Sequence, residues 1–257
     1  MNPDTVTLDH LKQQVLPELF RTPSKLGEYG PVANSREGIK QLEKLMEAGA
    51  AAALADDIAQ ILTKMSDASP ERIARKPKWH ERLLGSSVEK KIRYQVARST
   101  LESMLERAEG NAQSVADTVT VIGQVIDSHQ QEAETLKVYI KAGREFLDEN
   151  PLVGAVQAGD LEFDRPRERL ARKLANLSTL VASHELSVNQ MKLSRAQAVD
   201  MLDRFRETVS VLVPVWRQHT LTLISTNNMS PAMVEQASKA HQALMASLSS
   251  SLDATKH

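Results

Sequence analysis

Two long stretches of the chain repeat apolar residues at alternating spacings of four and three. The first repeat covers residues 101–147 and the second covers residues 170–223. On a helix this spacing forms one apolar stripe, which is typical of helices that pack lengthwise against each other. The pattern predicts long helical arms at about 87–149 and 167–226, folded back on each other as an elongated, coiled-coil-like antiparallel hairpin.

The register of the hairpin follows from side-chain volumes, because small residues should face large ones where two apolar stripes close. A register in which the numbers of facing residues sum to about 317 meets this condition repeatedly. It sets Ala112 against Phe205 and Ala108 near Val209. We therefore expect this register rather than one displaced by a heptad.

The regions outside the arms are shorter and more interrupted. Prolines and glycines in residues 1–34 predict a flexible N-terminal segment with one short helix near 5–20. Residues 35–257 are predicted to form a single elongated helical domain. Within it, an apolar stripe over residues 39–65 predicts a shorter helix before the arms, and Ser230 predicts the start of a final helix.

Composition supports a fold made of helices alone. The 257 residues include ten glycines and only 4% aromatic residues, so little material remains for β-structure. We therefore predict an all-α protein, with shorter helices at both ends of the hairpin. Cysteine is absent, which excludes a thiol nucleophile and a cysteine-ligated metal. No apolar run is long enough to span a membrane and no signal peptide opens the chain, so we expect a cytoplasmic protein.

Polar residues interrupt the apolar stripes at His129, His184, Arg195 and His219. The favoured interpretation is structural, because a polar residue in such a stripe penalises misaligned pairings. The alternative makes His129 and His184, about one layer apart in the predicted register, a metal pair or a proton-sensitive contact. Two imidazoles without carboxylates or thiols on the same faces are a poor metal site. We therefore predict no metal, no cofactor and no catalytic residue.

Pro214 and Trp216 lie inside the second arm. Proline removes a backbone hydrogen bond from a helix and crowds the preceding turn, so we expect a bend over residues 210–215. Trp216 falls on the apolar stripe, and we interpret it as a large core side chain beside the bend. A ligand pocket next to the kink is the alternative.

A strongly basic segment precedes and enters the first arm. Between Arg72 and Arg98 there are nine basic residues and only two acids. Such a segment is either a solvated basic face or a surface for an acidic protein, a nucleic acid or a membrane headgroup layer. The residues that we predict to bind a partner are Arg72, Arg75, Lys76, Lys78, Trp79, Arg82, Lys90, Lys91 and Arg93. Residues 127–164 are acidic, which leaves head-to-tail self-association open.

Motifs of catalysis are absent from the sequence. It has no glycine-rich phosphate loop, no nucleophile elbow and no paired-histidine metalloprotease motif. We therefore expect that the protein is not an enzyme.

Three segments together resemble a known family. They are LTKMSDASPERIARKP, then WHERLLG, and finally RFRETVSVLVPVWRQHTLTL, which contains Pro214 and Trp216. Over residues 55–226 the chain resembles the toxic-anion (tellurite) resistance proteins of the TelA type. The resemblance implies a bacterial cytoplasmic protein that confers tolerance to tellurite or related envelope stress. Because the chain has no thiol, any such role must be indirect.

Two hypotheses for function follow from these patterns. The first is a non-enzymatic helical scaffold for toxic-anion stress, which binds unidentified protein partners and reaches the inner membrane only through a partner. The second is a binder of nucleic acid or of an anionic membrane surface that uses residues 72–98 and Trp79. The formal net charge of −1 and the small number of aromatic residues in this segment favour the first.

Overall fold

The computed structural model describes residues 7–31, 36–74, 86–154 and 165–225, with shorter stretches between 232 and 247. These residues form helices and no strand, which confirms the all-α prediction. Among them, the N-terminal helices in chain order are α1 (Leu8–His10), a π-helical turn (Leu11–Val15), α2 (Leu16–Arg21), a 3-10 helix (Pro23–Glu28), α3 (Arg36–Glu47), α4 (Ala50–Asp67) and α5 (Pro70–Ala74). The long helices are α6 (Ser86–Glu149) and α7 (Pro166–Glu207), followed by a π-helical turn (Thr208–Leu212) and α8 (Val213–Ser225).

The ends of the long helices follow from local sequence. Helix α6 stops at Glu149 because Asn150 precedes Pro151, and the residue before a proline is disfavoured in the α region. Helix α7 begins at Pro166, where the missing N–H costs no helical hydrogen bond. A final helix was predicted from Ser230, and the described residues between 232 and 247 are all helical.

The chain separates into two compact units. Unit 1 contains Met1–Glu43 and Thr120–Arg195, and unit 2 contains Lys44–Val119 and Ala196–His257. The boundary between the units falls within α3, α6 and α7. The predicted division into a segment 1–34 and a domain 35–257 stays a prediction.

The N-terminal segment contributes to the core of unit 1. Leu11, Leu16, Leu26 and Tyr29 are buried against apolar residues of α6 and α7. The Tyr29 hydroxyl donates a hydrogen bond of 2.8 Å to the backbone oxygen of Tyr139. Beyond the predicted short helix near 5–20, Pro23–Glu28 form a 3-10 helix whose Leu26 belongs to the same cluster.

Within unit 1 the long helices run antiparallel. Gly143 faces Leu174, a pair in the predicted register, and a Cβ on the glycine would lie 2.6 Å from a Leu174 methyl carbon. On the same two helices, the Lys137 ammonium is 3.1 Å from the Glu185 carboxylate. The absence of a side chain at Gly143 therefore lets α6 and α7 approach closely.

Unit 2 has its own core. Helix α4 buries Leu54, Ile58 and Ile61 in the same cluster as Ala112 and Phe205, the pair expected to face each other. Helices α3 and α4 are separate, although the apolar stripe over residues 39–65 predicted one helix. The break is at Gly49, whose φ of +64° is a left-handed conformation that few other residues adopt.

Within the π-helical turn Thr208–Leu212 the structure departs from the predicted stripe at Val209, while Leu212 and Trp216 are buried as predicted. Thr208 is 3% exposed and Val209 is 39% exposed, so the prediction that Val209 lies on the packed stripe near Ala108 is wrong. The π-helical turn contains more residues than an α-helical turn, so Thr208 rather than Val209 points into the core. Arg195, also predicted on the stripe, is exposed.

Candidate functional site

The structure describes part of the predicted partner-binding set. Arg72 lies on α5, and Lys90, Lys91 and Arg93 lie in the first turns of α6. The remaining members of that set, Arg75, Lys76, Lys78, Trp79 and Arg82, lie outside the described residues.

Several basic side chains of this segment pair with acids of their own chain. Arg72 is 3.1 Å from Asp67, and Arg98 is 2.8 Å from Glu102. Arg93 also pairs with Glu89, one turn earlier on α6. Asp67 and Glu102 lie just outside the window in which the sequence shows excess positive charge. The described part of this segment is therefore less positive than its sequence suggests, which argues against nucleic-acid binding through these residues.

An apolar face accompanies the remaining lysines at the start of α6. Ile92 is 46% exposed and Val96 is 59% exposed, whereas Tyr94 and Ala97 on the opposite side of the helix are buried. Residues four apart are neighbours on a helix surface, so Ile92 and Val96 form one patch. Lys91, which is exposed, adjoins it. We call this surface the Ile92–Val96 face.

Trp216 packs in a core and Pro214 follows a helix irregularity, so both have structural roles. The Trp216 side chain is fully buried, stacks on Tyr94 with ring centroids 5.8 Å apart, and donates a hydrogen bond of 2.8 Å from Nε1 to the backbone oxygen of Ala68. Pro214 is the second residue of α8, directly after the π-helical turn. The backbone irregularity expected beside the proline is therefore a wide turn, and Trp216 packs in the core of unit 2.

The histidines of the apolar stripes meet in unit 1. His129 on α6 and His184 on α7 are 8% and 9% exposed, and their Nδ1 atoms are 2.5 Å apart. The Nε2 atom of His184 is 3.6 Å from a carboxylate oxygen of Glu132. Each of the three residues offers a ligand atom, and these atoms all lie within 4.8 Å of one another. We call this group the histidine cluster.

Glu132 is the member of the histidine cluster that the sequence interpretation missed. That interpretation looked for carboxylates on the apolar stripe itself and found none. Glu132 follows His129 by three residues, and side chains three apart on a helix are neighbours even when only one of them lies on the stripe. A search for His-x-x-Glu spacing around each stripe histidine would have found it.

The electrostatics of the histidine cluster favour neutral imidazole at His129. Burial is the main cause that lowers the pKa of His129, and the neighbouring His184 lowers it further, whereas Glu132 opposes the shift. A neutral imidazole has a lone pair on one ring nitrogen, which can accept a proton or a metal ion.

Two clefts reach the histidine cluster from different sides of unit 1. One, of about 370 Å³, is lined by Glu28, Glu132 and His184, with Lys173 at its wall. The other, of about 470 Å³, is lined by His129 and His184 together with Lys137 and Lys192. Each cleft carries two carboxylates, Glu28 and Glu132 in the first and Glu134 and Glu185 in the second. The first has one ammonium group and the second has two, so a cation would enter more favourably through the first.

A second buried polar group lies in unit 2 and was not predicted. The Asp57 side chain on α4 is 5% exposed. One of its oxygens accepts a hydrogen bond of 2.7 Å from Arg107 Nε, and the other accepts one of 2.7 Å from Asn111 Nδ2. Arg107 also donates to Gln60 at 2.8 Å. We call this group the Asp57 network.

Comparison with known proteins identifies a relative. The chain is 60% identical over 253 residues to "Protein KlaA" of Escherichia coli, and the match covers 98% of both chains. The chain belongs to the KlaA family. Neither a protein-family model nor a solved structure matches it.

Membership of the KlaA family does not test the predicted relation to tellurite resistance. The resemblance to tellurite-resistance proteins of the TelA type stays a prediction for this member of the KlaA family. No helix in the described part of the chain is long and apolar enough to cross a membrane.

Proposed function

We propose that this member of the KlaA family is a non-enzymatic helical scaffold that contributes to tolerance of tellurite or related toxic anions by binding a protein partner. The resemblance of residues 55–226 to TelA-type proteins supports the link to toxic anions. The absence of cysteine supports an indirect role, since the chain has no thiol with which to reduce tellurite.

The Ile92–Val96 face is the observation that carries the scaffold proposal. Large apolar side chains that lie together on a surface mark interaction sites more often than singly exposed ones do. Here they adjoin Lys91 within the segment whose sequence predicted partner binding. We propose that this face receives a protein segment with apolar anchors and acidic neighbours.

The partner would be reached in the cytoplasm. Contact with the inner membrane, if the protein makes it, would go through that partner. Part of the affinity would come from Lys90 and Lys91, so it should decrease at high salt, because salt screens exposed charges. The apolar contact at Ile92 and Val96 should persist.

Complementation of a deletion strain tests the proposal. The strain lacks the gene and receives either the parent chain or the double variant Ile92→Asp, Val96→Asp. Leu221→Asp is a matched control, because Leu221 on α8 is 48% exposed, close to the 46% of Ile92. We expect the parent and the control to restore growth on tellurite and the double variant to fail, with equal protein levels in all three.

Two outcomes would contradict the proposal. Deletion without any change in tolerance to tellurite and related anions would remove the link to stress. Full complementation by the double variant would remove the Ile92–Val96 face as the docking surface. Salt-dependent binding of the purified protein to DNA or to anionic vesicles, lost with Lys90→Gln and Lys91→Gln, would favour the alternative function instead.

A further inference from the structure

The histidine cluster brings ring nitrogens of two buried imidazoles to one point. At 2.5 Å, the Nδ1 atoms of His129 and His184 are within hydrogen-bond distance. Neither nitrogen has another hydrogen-bond partner among the described residues. Two such atoms can face each other only if a hydrogen carried by one ring or a metal ion lies between them.

The arrangement of the third residue distinguishes this pair from a simple proton-sharing contact. Glu132 places a carboxylate oxygen beside His184, with all three ligand atoms inside 4.8 Å. Two imidazoles and one carboxylate are a donor set that proteins use for divalent transition metals, whereas Mg²⁺ and Ca²⁺ prefer oxygen ligands alone.

We propose that His129, Glu132 and His184 bind one divalent transition-metal ion, with Zn²⁺ as the best-suited ion. His129 and Glu132 come from one turn of α6, and His184 comes from the facing turn of α7. The ion would therefore join the two long helices within unit 1. This site goes beyond the proposed scaffold function and does not depend on it.

Small side-chain rotations bring the donors to the spacing that the ion requires. Zinc bonds of about 2.0–2.1 Å in a tetrahedral site place neighbouring donor atoms about 3.3 Å apart. The imidazole nitrogens, now 2.5 Å apart, would separate by roughly 1 Å, and the Glu132 carboxylate would move inward. The Glu132 side chain is 17% exposed and lines the cleft.

The surroundings provide an entry path and an open coordination position. The cleft of about 370 Å³ beside Glu132 and His184 leads from solvent to the cluster, and Glu28 adds a carboxylate to its wall. A water molecule from this cleft would complete the coordination of the ion. Lys173 on the same wall donates a hydrogen bond of 2.7 Å to the backbone oxygen of Gly27, which directs its ammonium group to that oxygen.

Metal titration of the full chain tests the site directly. The chain is prepared without an affinity His tag, treated with a chelator and dialysed, and then titrated with Zn²⁺ in a calorimeter and with Co²⁺ in a spectrophotometer. We expect one ion per chain and the visible absorption bands of a low-coordinate Co²⁺ centre. Zn²⁺ should also raise the temperature of unfolding, because it binds the folded state.

The variants assign the ligands. His129→Gln and His184→Gln should each abolish the Co²⁺ bands and lower the Zn²⁺ affinity by at least about 100-fold, because only one imidazole remains. Glu132→Gln should lower the affinity by at least the roughly 10–100-fold observed for carboxylates that support a metal-bound imidazole. His10→Gln removes an exposed imidazole from the same unit and should change neither measurement.

Two results would overturn the proposal. One is the absence of saturable Zn²⁺ or Co²⁺ binding to the parent chain. Another is binding that His129→Gln and His184→Gln leave intact. Glu132 lines the cleft, and the change Glu132→Gln keeps the size of its side chain. This variant therefore still tests the site if a histidine variant fails to fold. These measurements use purified protein, so they are independent of the tellurite growth test.

Discussion

The Asp57 network and the histidine cluster place buried polar side chains between helices in different ways. In unit 2, both carboxylate oxygens of Asp57 accept hydrogen bonds, and the charge of Arg107 lies beside them. In unit 1, the close contact within the histidine cluster is between atoms of the same kind, the Nδ1 nitrogens of His129 and His184. The first group is complete within the chain, and the second gains from an added cation.

The difference teaches how to separate structural polar groups from candidate sites. A buried charge whose oxygens are all paired stabilises one packing of the helices and has little left for a ligand. A buried pair whose ring nitrogens converge retains donor atoms for an ion. Burial alone does not distinguish them, because Asp57, His129 and His184 are all less than 10% exposed.

Removal of Arg107 should have the largest effect. Arg107→Met leaves the Asp57 carboxylate buried with Asn111 as its remaining hydrogen-bond donor in the network. We expect the free energy of unfolding to decrease by about 3 kcal/mol, the low end for deleting one partner of a buried ion pair, because Arg107 itself is half-exposed. Urea denaturation would measure it. If the second change Asp57→Asn recovers none of the loss, the ion pair is not the reason.

Trp216→Phe tests another complete polar contact of unit 2. Phenylalanine retains a ring beside Tyr94 but cannot donate to the backbone oxygen of Ala68. The free energy of unfolding should decrease by about 2 kcal/mol, from an unpaired buried acceptor and lost packing. Thermal and urea denaturation would both report it. The chain has two tryptophans, so the fluorescence that remains in this variant comes from Trp79 alone. An unchanged free energy of unfolding would show that the contact with Ala68 contributes nothing.

Replacement of the two histidines should raise the free energy of unfolding, whereas the two changes above should lower it. In the presence of a chelator, the double variant His129→Leu, His184→Leu should be more stable than the parent by about 1 kcal/mol, because apolar side chains replace buried polar ones. With Zn²⁺ the order should reverse, since only the parent binds the ion. A large destabilisation of the double variant without metal would show that the cluster is as complete as the Asp57 network.

The dependence of stability on pH sharpens the comparison further. Burial is the main cause that lowers the pKa of both His129 and His241 below the ordinary value of 6.5. Below about pH 6.5 the unfolded chain therefore binds more protons than the folded chain, and the free energy of unfolding decreases as pH falls. The slope should reach at most about 1.4 kcal/mol per pH unit for each histidine.

Denaturation with a chelator at several pH values would measure this slope. The variant His129→Leu, His184→Leu should lose the part that His129 contributes and retain the part from His241. His10→Gln is the control, because that imidazole is exposed. An unchanged slope in the double variant would show that His129 does not contribute to the pH dependence of stability.

Periodicity predicted the helices well and their polar partners poorly. The repeats and Asn150-Pro151 sufficed to predict the extent of α6, and the second predicted arm covers α7, the π-helical turn and α8 together. The contact between His129 and His184 also followed from the repeats to within about one layer. Glu132 and Asp57 were missed for one reason: each lies off the stripes that were followed, and its partner is fixed by packing between helices rather than by spacing along one.

Charge was the least predictable property. The sequence shows an excess of basic residues over 72–98, yet folding pairs Arg72 with Asp67 and Arg98 with Glu102. Both acids lie outside that window, so a count along the chain cannot include them. A count over helical neighbours, three or four residues in either direction, would have anticipated the pair of Arg98 and Glu102.

The wide turn at Thr208–Leu212 bears on which changes of length the protein can tolerate. A π-helical turn holds one residue more than the α-helical turn it replaces, while the helix beyond it keeps its direction. Deletion of a single residue such as Ser210 can therefore be absorbed by converting this turn to α-helix, and Trp216 would still reach Ala68. A deletion within α7 would rotate every later side chain by about 100°.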